Sequence, residues 1–139
     1  MKVCVLDASV VAVAFFKETH VELAEGLLVQ ARQRHAPSLI RTEFTNALWK
    51  RQRRGEATTK QAIDMLADFS RIPFAITPTR ELLESGLQIA IDTGRTVYDS
   101  LYLALAIRQK VKLITADKRF VNALAKSPYA KHITWLGAI

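Results

Sequence analysis

The sequence predicts an α/β fold of three α/β/α layers, with a mainly parallel central sheet flanked by helices. Short apolar, β-branched runs end in a polar residue, as at Val3–Leu6 and at residues 111–115 (VKLIT). Helical patterns separate these runs, and no linker, repeat or low-complexity tract interrupts the chain. Runs that are apolar throughout suit strands covered on both faces, and strands alternating with helices suit parallel pairing.

Taken in order, Val3–Leu6 is the first strand, and Asp7 separates it from a helical segment. Thr19 with Glu22, and Thr58 with Gln61, have capping-box spacing and open helices of about 12 to 16 residues. A further helix runs from about residue 38 to 54, closed by Gly55, and another from about 79 to 93, closed by Gly94. Residues 74–77 form a short strand between helices. The segment 97–107 (VYDSLYLALAI) is apolar almost all round, which predicts a buried helix. Residues 111–115 and 133–136 complete the strands, with Asp117 placed between the former and a last helical segment.

At 139 residues, half of them hydrophobic, the chain fits a single domain spanning residues 1–139. Cys4, the one cysteine, lies in an apolar run, so there is no disulfide framework and no CxxC metal pair. Lys2, the apolar residues after it and Ala12-Val13-Ala14 superficially resemble a signal peptide. Asp7 splits the apolar region that such a signal needs, and the next apolar stretch, residues 10–16, is far short of the ~20 residues of a membrane span. A soluble, cytoplasmic protein without membrane contact is expected. Twenty Lys and Arg against 13 Asp and Glu give a formal charge of +7, which favours polyanionic partners such as nucleic acid.

Four of those acids stand out against the basic background. Asp7 and Asp117 each follow an apolar strand and precede a helix, at the sheet edge where open α/β folds bind ligands; each also suits a plain N-cap. Helical geometry places Glu43 within the apolar arc formed by Leu39, Ile40, Phe44, Ala47 and Leu48, where an unpaired charge costs several kcal/mol, so it needs a metal, an arginine or another cation. A position at the margin of the buried face, paired with arginine, is the alternative. Asp99 opens the apolar helix, one turn before Tyr102 and Leu103; with Thr96 it also has capping-box spacing, and capping does not exclude catalysis. Converging carboxylates repel, which destabilises a fold unless a hard divalent cation sits among them. Oxygen-only ligands point to Mg²⁺ or Mn²⁺ rather than zinc. Ser9 and Thr115, each two residues from an Asp, are placed either to orient a carboxylate or to make local backbone hydrogen bonds.

These residues fall in the blocks Leu6-Asp7-Ala8-Ser9, Thr42-Glu43-Phe44-Thr45-Asn46-Ala47-Leu48, Val97-Tyr98-Asp99-Ser100-Leu101-Tyr102-Leu103-Ala104-Leu105-Ala106 and Leu113-Ile114-Thr115-Ala116-Asp117-Lys118-Arg119-Phe120. In that order they resemble a PIN domain of the VapC toxin type, over essentially the whole chain. The resemblance implies a PIN-like parallel sheet between helices, a Mg²⁺- or Mn²⁺-dependent endoribonuclease acting on RNA, homodimerisation and inhibition by a cognate antitoxin protein. It carries over Asp7, Glu43, Asp99 and Asp117 as the catalytic and metal-binding acids, with Asn46, Ser9 and Thr115 in support. Asp92 is an extra acid, read as a surface residue near a helix end.

Metal-assisted hydrolysis needs a nucleophilic water, charge neutralisation at phosphorus and a stabilised leaving oxygen. The expectation is that Asp7 and Asp99 hold the principal metal, with Asp117 and Glu43 completing the site. The run Lys50-Arg51-Gln52-Arg53-Arg54 suits phosphate contacts or, equally, a solvated helix C-terminus. Trp49 and Trp135 suit base stacking, or packing and dimer contact. A dehalogenase-type phosphatase requires a second Asp where Ser9 stands, and a receiver domain requires an acidic pair after the first strand; neither pattern is present. A non-catalytic RNA- or protein-binding module with this fold, a housekeeping RNA-processing nuclease and a DNA nuclease are the rival readings.

Overall fold

The computed structural model describes residues 3–139. Lys2, part of the signal-like stretch, lies outside the described residues. Within them a five-stranded, all-parallel sheet has the strand order β3-β2-β1-β4-β5. The strands are β1 (Val3–Leu6), β2 (Gln33–Pro37), β3 (Ala75–Thr77), β4 (Leu113–Thr115) and β5 (Ile133–Trp135). Seven α-helices connect them: α1 (Ala8–Phe16), α2 (Val21–Gln30), α3 (Leu39–Arg53), α4 (Thr59–Ser70), α5 (Leu83–Thr93), α6 (Val97–Gln109) and α7 (Lys118–Leu124).

Alternation along the strands divides the core in two. Val5 and Leu113 face a cluster with Phe44, Leu103 and Phe120, whereas Cys4, Leu6 and Ile114 face a second cluster with Val10, Ala24 and Leu27. Side chains of successive strand residues point to opposite faces, so the two clusters are the two interfaces of a three-layer fold. Burial pushes the Cys4 thiol up to about 11, which keeps it an unreactive hydrophobe.

Three local features differ from the sequence expectations. β2 has the sequence QRHAP, with no apolar run to announce it; its Arg34 is buried by donating to the carbonyls of Ala31 at 2.8 Å and Pro73 at 3.0 Å. Thr19 and Glu22 do not form a capping box. His20 is the N-cap instead, in the left-handed region with φ 72°, and makes no side-chain cap bond. The segment expected as one helix over 79–93 begins with a 3-10 turn, Thr79–Leu82, before α5. At Thr58 the reciprocal capping box with Gln61 is present, and Gly55 and Gly94 both take the positive φ of helix ends. Among the described residues, no helix is long and apolar enough to cross a membrane.

Candidate active site

The strand order places the change of winding direction between β1 and β4: β2 and β3 lie beyond one, β5 beyond the other. A crevice opens at the C-terminal ends of strands at such a point. Asp7 and Asp117 flank it, each directly preceding a helix. Asp7 is only 8% exposed. Its Oδ1 accepts from the Ser9 amide at 3.1 Å and from the Ser9 hydroxyl, so it caps α1 while facing the crevice. The Ser9 hydroxyl in turn accepts from the Ala116 amide at 2.9 Å and lies 3.3 Å from Thr115 Oγ1, which accepts from the Asp117 amide at 3.1 Å. These two hydroxyls lace the ends of β1 and β4 together.

Asp117 divides its oxygens. Oδ1 accepts from the Arg119 and Phe120 amides at 3.0 and 3.3 Å, capping α7, and Oδ2 is left to face Arg95. Asp99 lies in the first turn of α6, where Thr96 caps the helix by accepting from its amide at 3.1 Å. One turn on, the Tyr102 hydroxyl donates to Glu43 Oε1 at 2.5 Å, tying α6 to the half-buried acid on α3. Helix α3 starts at the C-terminal edge of β2, so Glu43, in its second turn, faces the same end of the sheet as the aspartates.

The charges act on one another. Desolvation pushes Asp7 up to about 6, and the Asp99 charge adds to that rise. Glu43 is raised by burial, with Tyr102 opposing and Asp99 reinforcing the shift. Asp99 is raised by burial against the pull of Arg95, with Asp117 reinforcing the rise. This is the pattern of carboxylates crowded in a poorly solvated place with too little positive charge.

Arg95 is the cation the sequence reading missed. Its Nη2 donates to Asp99 Oδ2 at 2.9 Å and to Asp117 Oδ2 at 3.4 Å, and its guanidinium carbon stands 4.9 Å from the Phe120 ring centroid. The Nε of Arg95 is buried without a partner among the described residues. Arg95 and Asp99 have i, i+4 spacing, a readable ion-pair signal; their place at the entry to α6 concealed it.

Other candidates stand apart from the acids. Asn46 is exposed and, among the described residues, makes no hydrogen bond to them. Asp92 is exposed and accepts from Gln88 at 2.9 Å and Tyr129 at 2.8 Å. In the basic run, Arg51 pairs with Glu18 at 2.7 Å and Glu56 at 3.2 Å and covers the Phe16 ring at 4.2 Å. Arg53 lies 5.6 Å from the exposed Trp49 ring. The run sits roughly 10–16 Å along the helix axis from Glu43, at 1.5 Å per residue.

Among the described residues no three His, Cys, Asp or Glu side chains stand close enough together to enclose a metal ion. In donor type and charge the acids nevertheless suit a hard divalent cation. All are oxygen donors, and three hold their protons more tightly than free carboxylates. Asp7 and Glu43 have no ion-pair partner among the described residues, while Asp99 and Asp117 share one arginine.

A family model described as the PIN domain matches residues 4–125. Ribonuclease VapC3 of Pyrobaculum aerophilum is 34% identical over 120 residues, covering 85% of this chain and 92% of that protein. The crystal structure of PAE2754 from Pyrobaculum aerophilum superposes with a TM-score of 0.70 at 24% identity, over 97% of this chain and 84% of that one. The Rickettsia felis VapBC2 structure, bound to a DNA fragment from its promoter, gives 0.64 at 15% identity, over 96% and 98%.

Proposed function

The chain belongs to the PIN-domain family, and from that membership we propose that it is a divalent-metal-dependent endoribonuclease, the toxin of a toxin–antitoxin pair. The observation that carries the reading is the gathering of Asp7, Glu43, Asp99 and Asp117 at the crevice between β1 and β4, where burial makes Asp7, Glu43 and Asp99 hold their protons more tightly than free carboxylates and one arginine stands among the acids. Buried acids with raised proton affinity have little use in a module that only binds RNA, since they repel a polyanion.

In this reading Asp7 and Asp99 hold the principal Mg²⁺ or Mn²⁺, with Asp117 and Glu43 completing the site. Such an ion, when bound, neutralises charge at phosphorus and makes water nucleophilic at neutral pH. The protein's own groups position and protect. Ser9 fixes the Asp7 carboxylate by two donors, so its remaining oxygen faces the crevice in one orientation. Tyr102 orients Glu43 through its hydroxyl. The helix-capping bonds of Asp117 hold one of its oxygens and leave the other to the site. A homodimer held in check by a cognate antitoxin fits the relatives solved as toxin–antitoxin assemblies.

Cleavage of total RNA by the purified protein with Mn²⁺ or Mg²⁺ tests this. Cutting that disappears in EDTA and in Asp7→Asn and Asp99→Asn is the expected result. Equal behaviour of wild type and both variants across metals and RNA pools, without Mn²⁺ binding by calorimetry, sinks it.

A further inference from the structure

Beside the acid cluster lies a cavity of about 450 Å³, and Ser9 and Asp117 belong to its wall. The volume is within the ~300–1,000 Å³ of small-molecule sites. Its floor is apolar, built from Ala12, Val13 and Leu136, and its one large aromatic wall is Trp135.

The indole is held in place. Trp135 ends β5 in register with Thr115, the residue whose hydroxyl lies against Ser9 and the Asp117 amide. Gly137 lies against the ring so closely that a Cβ there would stand 2.4 Å from Cη2. His20 meets the ring edge-on, with centroids 5.3 Å apart and planes at 88°. Its backbone is in the left-handed region that non-glycine residues rarely adopt, at a cost of ~1 kcal/mol or more. Lys118 Nζ stands 4.5 Å from the Trp135 centroid. Among the described residues neither the His20 nor the Lys118 side chain has a hydrogen-bond or ion-pair partner. The one other carboxylate in the wall, Glu18, is drawn to Arg51 at 2.7 Å.

We propose that this cavity is the subsite for one unpaired nucleotide next to the scissile bond, its base against Trp135 and its phosphate beside Lys118. The inference rests on the ribonuclease reading and adds to it which part of a single-stranded RNA the protein holds. An aromatic face with an apolar floor takes a base by stacking; the flexible Lys118 side chain, whose ammonium lies over the indole, yields that face to the base and takes the backbone phosphate. The shared Asp117 puts the neighbouring phosphodiester over the acids. Single-stranded RNA can splay a base into such a cavity; a paired strand cannot.

The test uses the full chain carrying Trp49→Phe, which leaves Trp135 as the sole indole. UMP and AMP quench its fluorescence, while ribose 5-phosphate and inorganic phosphate at the same concentration do not. In parallel, cut sites on an RNA pool are mapped for wild type, Trp135→Leu and His20→Gly, the last chosen because glycine adopts that backbone freely. Both variants lose about 10-fold in kcat/KM, as expected for one lost stacking contact, and relax the preference at one position adjoining the cut. Cleavage by both at the wild-type rate and sites overturns the subsite and leaves the nuclease. Equal quenching by ribose 5-phosphate also overturns it. Absence of cleavage by wild type with quenching by UMP and AMP retained overturns the nuclease reading and leaves a nucleotide cavity.

Discussion

Arg95 Nη2 lies 2.9 Å from Asp99 Oδ2, so a guanidinium stands where four crowded acids call for a cation. It uses that single nitrogen for Asp99 and Asp117, while its Nε is buried and unpaired. A fully engaged structural arginine would use its fork. Arg95 is a partial counter-charge, and in the proposed metal site a divalent ion on the same carboxylates would compete with it.

Arg95→Met therefore tightens Mn²⁺ binding by about 5-fold or more in calorimetry, on the scale of ordinary coupling between two ligands. The metal-free variant melts about 2–4 °C lower, because Asp99 and Asp117 lose their neutralising partner. Unchanged Mn²⁺ affinity would falsify the competition.

Asp7→Asn abolishes cleavage yet stabilises the metal-free fold at pH 7. Burial raises Asp7 from 3.8 to about 6, so the folded state binds more protons than the unfolded chain between those values. Stability contributed by this group falls as pH rises through that window, and the full penalty, on the order of 3 kcal/mol, stands above about pH 6. The Asn variant keeps the cap. Melting curves in EDTA should show variant and wild type converging near pH 4 and separating by pH 7; parallel curves would remove Asp7 as a buried titrating group.

Tyr102→Phe deprives Glu43 of its donor at 2.5 Å. Loss of a bond to the charged form raises the Glu43 proton affinity further. Cleavage falls about 10-fold, in the range of lost supporting contacts to metal ligands, and the deficit is larger at pH 6 than at pH 8. A deficit independent of pH would assign Tyr102 a packing role alone.

Lys50→Ala with Arg54→Ala leaves the salt dependence of RNA binding changed by less than about one unit of slope. Those residues lie at the far end of α3 from Glu43. Arg51→Ala acts differently: it frees Glu18 and Glu56 and uncovers Phe16, so it lowers the melting temperature. A large fall in RNA affinity for the double variant would return the basic run to the interface.

The legible parts of this protein were those where one residue pattern served one purpose. β1 and β4 are apolar because both faces are covered, and α6 is apolar all round because it is buried at the centre. β2 hid because it buries polar side chains in place of an apolar run: Arg34, satisfied by two backbone carbonyls, and His35, whose burial disfavours its charged form. Thr19 failed as a cap because the chain turns one residue later, through a left-handed His20 that lies against Trp135. The placement of the acids at strand ends could be read, since each is anchored by its own strand and helix. Arg95 and the Tyr102–Glu43 bond could not, because they depend on which helices meet in three dimensions.

The pairing of β1 with β4 joins residues 3–6 to residues 113–115, while β2 and β3, made earlier, sit on the other side of β1. During synthesis the N-terminal portion can therefore assemble β1, β2 and β3 with one edge of β1 still open. Asp7 then has neither Thr115 nor Asp117 beside it, and the Ser9 hydroxyl has no Ala116 amide to receive. The nascent chain, held on an RNA machine throughout its elongation, carries no completed acid cluster until β4 docks on that open edge of β1 and β5 follows it.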